Sequence, residues 1–141
     1  MTGDGIIAAL GLSPHPEGGW YRQTWVEESA TGRPAGTAIY FLLKGGEASH
    51  WHRVDAAEIW HFYAGAPLVL SMAETEAGPA AEHILADDLA EGMPQIVVPK
   101  GHWQAARTTG AYTLVGCTVS PGFRFEGFEL APPGFDIARG G

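Results

Sequence analysis

The chain has 141 residues, a length that suits one domain, and a formal net charge of −8 from 8 basic and 16 acidic side chains. That balance argues against nucleic acid, whose recognition needs basic residues to neutralise phosphates. The single cysteine, Cys117, excludes an internal disulfide. None is needed, because a domain of this size buries about 70% of the surface its unfolded chain exposes. No apolar run approaches the roughly 20 residues that span a bilayer, and Met1-Thr2-Gly3-Asp4 lacks a basic leader region. The expectation is a soluble, cytoplasmic protein with neither membrane nor nucleic acid as partner.

Thr2 to Leu10 reads as a short helix, with Thr2 or Asp4 as cap and Gly11 as stop. Ser13 to Gly19 is too rich in Pro and Gly for regular structure. Strands follow at Trp20–Val26 and Thr37–Leu43, separated by a polar connection over Ser29–Gly36. Ser49–Trp51 is a further short strand, and a turn at Val54-Asp55-Ala56 leads into Glu58–Tyr63. Leu68–Ala73 and Glu82–Leu85 flank Gly78-Pro79 as a hairpin. Gln95–Val98, Tyr112–Ser120 and Phe123–Leu130 complete the set. The 20 glycines and 10 prolines punctuate these segments from end to end, and no repeat is visible. Short strands between frequent turns define an all-β barrel or sandwich.

Potential ligands are densest between Gly46 and Glu58. Strand alternation projects His50 and His52 to one side, and Glu58 returns beside them if the next strand pairs. Two imidazoles and a carboxylate suit Fe, Mn, Ni or Zn, and equally supply a base and an acid near neutral pH. Alternation turns His61 to the opposite face, and His15 and His83 read as structural or solvent-facing. Cys117, within Leu114–Val119, reads as a small buried hydrophobe. Arg22, on a strand, would anchor a carboxylate or phosphate if it points inward. Tyr40, Trp60, Phe62, Trp103 and Phe125 are candidate aromatic walls.

The run from Gly45 to Gly65, with His50-x-His52, Glu58 and a final glycine, resembles the first cupin motif. Gly92 to Gln104, with Pro99-Lys100-Gly101, resembles the second. His15-Pro16-Glu17-Gly18-Gly19, Thr37–Leu43, Glu58–Tyr63 and Val115–Phe123 are similar to a small cupin family catalogued as a domain of unknown function. The resemblance covers nearly the whole chain in order. It implies one domain over residues 1–141, a double-stranded β-helix barrel with a short N-terminal helix, commonly a homodimer. It also gives Glu17 a role in the pocket, and places Gln104 where the second motif normally carries a third histidine. His50, His52, Glu58 and Gln104 are thus the candidate metal set, with His102 as an alternative to Gln104. Five residues separate His52 from Glu58, where the metal-binding pattern has three or four.

Two functions follow. One is an enzyme acting on a small polar or anionic, carbohydrate-like molecule, through isomerase, epimerase, lyase or metal-dependent oxygenase chemistry, with His50, His52 and Glu58 catalytic. The other is a non-catalytic barrel that binds such a molecule.

Overall fold

Alternation along the third strand sets the plan of the molecule. Thr37, Phe41 and Leu43 turn inward and are almost fully buried, while Leu42 is buried on the opposite face. Leu42 is covered there by Ile6 and Leu12 of the N-terminal segment. In the computed structural model, which describes residues 1–140, the elements in chain order are α1 (Gly3–Leu10), β1 (Ser13–Pro14), β2 (Trp20–Glu27), β3 (Gly36–Lys44), β4 (Ala48–Val54) and β5 (Ala57–Gly65). After these come β6 (Leu68–Ala73), β7 (Ala81–Leu85), β8 (Gln95–Val98), β9 (Trp103–Thr108), β10 (Tyr112–Ser120), a 3₁₀ turn (Phe125–Gly127) and β11 (Phe128–Leu130). The helix is capped as expected: the Thr2 hydroxyl accepts from the Gly5 amide at 3.0 Å, and Gly11 stops it in the left-handed region at φ 66°.

The strands form two antiparallel sheets, ordered β1-β2-β3-β10-β5-β8 and β11-β4-β9-β6-β7. Their inner faces enclose a double-stranded β-helix barrel, the architecture that the cupin resemblance implies. Phe41, Leu43, Trp60, Leu68, Leu70, Leu85 and Val115 fill one half of the interior. The other half is left open. Among the described residues, no helix is long and apolar enough to cross a membrane.

Ser13–Pro14, expected to be irregular, pairs with β2 as the two-residue strand β1, and two further readings of the sequence need correction. Phe123–Leu130 is not one strand; it is an extended start, the 3₁₀ turn and three residues of β11. The three phenylalanines Phe123, Phe125 and Phe128 meet edge-on, with centroids 5.0 to 6.1 Å apart, and this packing folds the segment over the barrel end. Second, a strand occupies Trp103–Thr108, where the composition carries little β signal. It forms because β9 lies between β4 and β6 and is paired on both edges.

Candidate functional site

The open half of the barrel is a cavity of about 150 Å³. It is lined by the titratable side chains of His15, Glu17, His52, Glu58 and Cys117, by Tyr21, Gln23 and Thr37, and by the apolar Ile39, Val54, Val119, Phe123 and Phe125.

The turn before β2 brings in Glu17. Gly18 has φ +106° and Gly19 has φ +78°, conformations that L side chains avoid. A Cβ on Gly18 would collide with the Ala48 carbonyl, so the turn lies against β4 and only glycine permits it. Glu17 is held inside: the Ser49 hydroxyl donates to its Oε2, and its Oε1 lies 3.4 Å from His15 Nδ1 and 3.6 Å from His52 Nε2. His15 Nδ1 also accepts from the Glu17 backbone amide at 3.1 Å, so in neutral His15 the proton sits on Nε2.

In β4 the register slips: Ser49 pairs with Ala106, yet His52 pairs with Gln104, so this strand carries one extra residue. A β-bulge of this kind breaks alternation. Ser49 and His52 both face inward. His50 does not, and the expected pairing of His50 with His52 in the pocket is therefore overturned. The His50 Nε2 atom is bonded to the Pro132 carbonyl at 3.0 Å, and its side chain lines a separate groove with Trp51, Phe135 and Arg139. The bulge has a second effect. It turns the His50 carbonyl to accept from His52 Nδ1 at 2.7 Å, which fixes the proton of neutral His52 on Nδ1. The Nε2 lone pair of His52 is left toward the cavity, and the residue is 2% exposed.

Glu58 and Gln104 form a chain with Trp60. The Trp60 indole donates to Gln104 Oε1 at 2.8 Å, and Gln104 Nε2 donates to Glu58 Oε1 at 2.9 Å. An indole N–H can only donate, so the amide orientation is settled: Gln104 offers nitrogen, not oxygen, to Glu58. The candidate metal set is therefore not assembled. His50 points elsewhere, the Gln104 oxygen is occupied by Trp60, and His102 does not line the cavity. Among the described residues no three His, Cys, Asp or Glu side chains are grouped to hold a metal ion.

Burial governs the ionisation of these groups. It pushes Glu17 up to about 8, opposed by the Ser49 hydrogen bond, and Glu58 up to about 7, opposed by His52 and Gln104. Desolvation lowers His15 to about 4, and lowers His52 as well. The Cys117 thiol is driven well above its ordinary value by burial and by the nearby carboxyls. At neutral pH the cavity thus holds neutral imidazoles beside carboxyl groups that retain much of their protonation.

The other candidates are dispersed. Arg22 is exposed on the outer face and donates to the Leu10 carbonyl at 2.8 Å, so it anchors nothing in the cavity. Tyr40, opposite it in register, also faces outward and meets Tyr63 edge-on. Trp103 packs outside the second sheet against Phe135. Trp60 and Phe62 belong to the packed half of the barrel, while Phe125 does line the cavity at its mouth. His61 faces away from the cavity, with its Nε2 3.0 Å from the Thr118 hydroxyl. Reading the sequence missed His15, Tyr21, Gln23 and Cys117 as cavity residues; for His15 the signal was its place two residues before Glu17, in a turn that Gly18 and Gly19 bend inward.

An all-β barrel with titratable groups around an internal cavity defines the molecule as a double-stranded β-helix protein. The chain belongs to the family described as Cupin superfamily (DUF985), whose model matches residues 4–131. It is similar to the solved structure of a protein from Shewanella oneidensis, with 41% identity over 93% of this chain and 85% of that one, and a TM-score of 0.87. A hypothetical protein from Leishmania major is 29% identical over 93% of this chain and 88% of that one, with a TM-score of 0.83. Oxalate decarboxylase from Bacillus subtilis, which is described with Mn(II) centres, is 15% identical over 84% of this chain and 29% of its own, with a TM-score of 0.64. That last likeness is one of fold. No curated protein matches the chain.

Proposed function

We propose that the cavity catalyses proton transfer on a small polar molecule, as an isomerase or epimerase does. The observation that carries this reading is the His52 Nε2 lone pair, 3.6 Å from a carboxyl oxygen of Glu17 inside one cavity. In this scheme His52 removes a proton from carbon next to a substrate carbonyl, and the electron pair moves onto the carbonyl oxygen. Glu17 or Glu58, protonated near neutral pH, donates to that oxygen. Return of the proton from His52 to carbon, on either face or at the neighbouring carbon, with an enol hydroxyl giving its proton back to the carboxylate, completes the isomerisation and regenerates both groups. The raised carboxyls and lowered imidazole suit these roles, since an acid and a base must hold opposite protonation states together.

The test is solvent exchange. Small α-hydroxy aldehydes and ketones are incubated with the protein in D₂O, and deuterium entering carbon is followed by NMR. Exchange that is lost in His52→Ala and in Glu58→Gln supports the proposal. The second reading, a binding barrel without catalysis, is favoured by the Trp60–Gln104–Glu58 chain, which satisfies one oxygen of Glu58 with fixed protein partners. It predicts ligand-induced stabilisation with no exchange. We also propose that the chain forms a homodimer, as the family resemblance implies; a monomer by light scattering at micromolar concentration would contradict that.

A further inference from the structure

Among the described residues, the cavity wall contains no lysine or arginine. Arg33 and Arg124, the guanidinium groups near the 3₁₀ turn, are both committed to Asp55, at 2.7 and 3.1 Å, and Arg22 is bonded to a backbone carbonyl on the outside. The groups that face Glu17 from the surrounding elements are His15 before β2, Tyr21 on β2, His52 on β4, Glu58 on β5 and Cys117 on β10. None of them is cationic at neutral pH, since desolvation keeps both imidazoles neutral. His52 turns its Nε2 atom toward the cavity, 3.6 Å from Glu17 Oε1. An anion entering here would find no lysine or arginine to offset its desolvation, and the two carboxyls would accept it only while they stay protonated.

From this geometry we infer that the cavity accepts a small organic ammonium ion with an apolar body, and rejects carboxylates and phosphates. The inference rests on the reading of the cavity as the ligand site; because the ammonium takes the His52 lone pair and the carboxyls that serve as base and acid in the proton-transfer scheme, it names the ligand class of the binding reading. An ammonium group donates up to three hydrogen bonds, and Glu17, Glu58 and the His52 lone pair are acceptors that line the one cavity. Phe123 and Phe125 add apolar lining to the same cavity. The volume, about 150 Å³, matches an engineered apolar cavity that holds benzene, so a ring with a one-carbon arm is the right scale. Proton balance follows from the same contacts. The ligand enters as R–NH₃⁺, the carboxylic acid of Glu17 ionises to form the ion pair, and its proton passes to the buffer.

Benzylamine, benzyl alcohol and benzoate share one skeleton and differ in the polar group. Titration calorimetry with each is run at pH 7 in phosphate and in HEPES, whose ionisation heats differ. Benzylamine is expected to bind with a Kd of about 1 mM or tighter, to release close to one proton, and to weaken at least tenfold in Glu17→Gln. Benzoate is expected to give no heat of binding. Equal or tighter binding of benzoate or benzyl alcohol overturns the inference, as does amine binding that releases no proton or no amine binding at all. Proton release is read on the unmodified chain, so a variant that fails to fold does not spoil the test. Calorimetry registers binding without turnover, so the inference stands or falls separately from the D₂O exchange that tests catalysis.

Discussion

Replacing Glu17 by glutamine separates the cost of its buried charge from its contacts. The amide keeps the size of the side chain, its oxygen still accepts from Ser49, and its nitrogen can donate to the lone pair of His52. The carboxyl of Glu17 is raised from 4.5 to about 8 because it is desolvated. Between those values the folded chain binds a proton that the unfolded chain has lost, so stability falls as pH rises through the window. Each pH unit then costs about 1.4 kcal/mol, tapering off as the folded group itself ionises. Between pH 6.5 and 8.5 the wild type should lose about 2 kcal/mol through this one residue, and Glu17→Gln none of it. Urea unfolding at the two pH values measures the gap between the proteins. Every other titrating group is present in both, and Glu58, which Glu17 helps to raise, loses part of its own pH dependence in the same direction, so the expected result is a gap that widens by about 2 kcal/mol or more in favour of the variant. A gap constant to within about 0.5 kcal/mol would refute the reasoning, because Glu17 would then be ionised in the fold at neutral pH.

Gln104→Leu strands the Trp60 indole and removes a donor from Glu58, both buried, so unfolding should show a loss of about 2 kcal/mol or more. Gly18→Ala sets a side chain against the Ala48 carbonyl at φ +106°, and a loss of about 2 kcal/mol with weakened ligand binding is expected from thermal unfolding and calorimetry. His52→Ala should abolish deuterium exchange, whereas His50→Ala, acting outside the cavity, should retain it; comparable loss in both would restore His50 to the site. Elemental analysis of protein purified without chelator should find no stoichiometric Fe, Mn, Ni or Zn that depends on Gln104, since that side chain turns its nitrogen toward Glu58.

The strands were legible wherever a residue pattern and a turn signal coincided. Leu68–Ala73, Gln95–Val98 and Tyr112–Ser120 fall where alternation and flanking Gly or Pro place them, and Thr2 and Gly11 bound the helix. Trp103–Thr108 escaped because a strand paired on both edges needs little β propensity of its own. The Phe123–Leu130 segment misled for the opposite reason. Its three phenylalanines carry a strong β signal, but they pack on one another over the cavity mouth, and Asp55 draws Arg124 toward the loop that carries Arg33.

Within the site, Glu58 and His52 were legible from spacing, and Glu17 from the resemblance. His50 was not, because one inserted residue in β4 is invisible in a pattern that assumes strict alternation. That residue changes the chemistry as well as the geometry. Without the bulge two imidazoles would face one carboxylate, an arrangement suited to a metal. With it, the first imidazole leaves, its backbone carbonyl takes the Nδ1 proton of the second, and Glu17 enters across from the Nε2 atom that remains. Glu17 can do so only because Gly18 and Gly19 let the preceding turn lie against β4 where Ser49 meets it. The bulge and the glycine turn therefore act together. One removes a metal-type ligand from the cavity and the other delivers a carboxylic acid, so that a His-x-His motif leaves one imidazole facing two carboxyl groups.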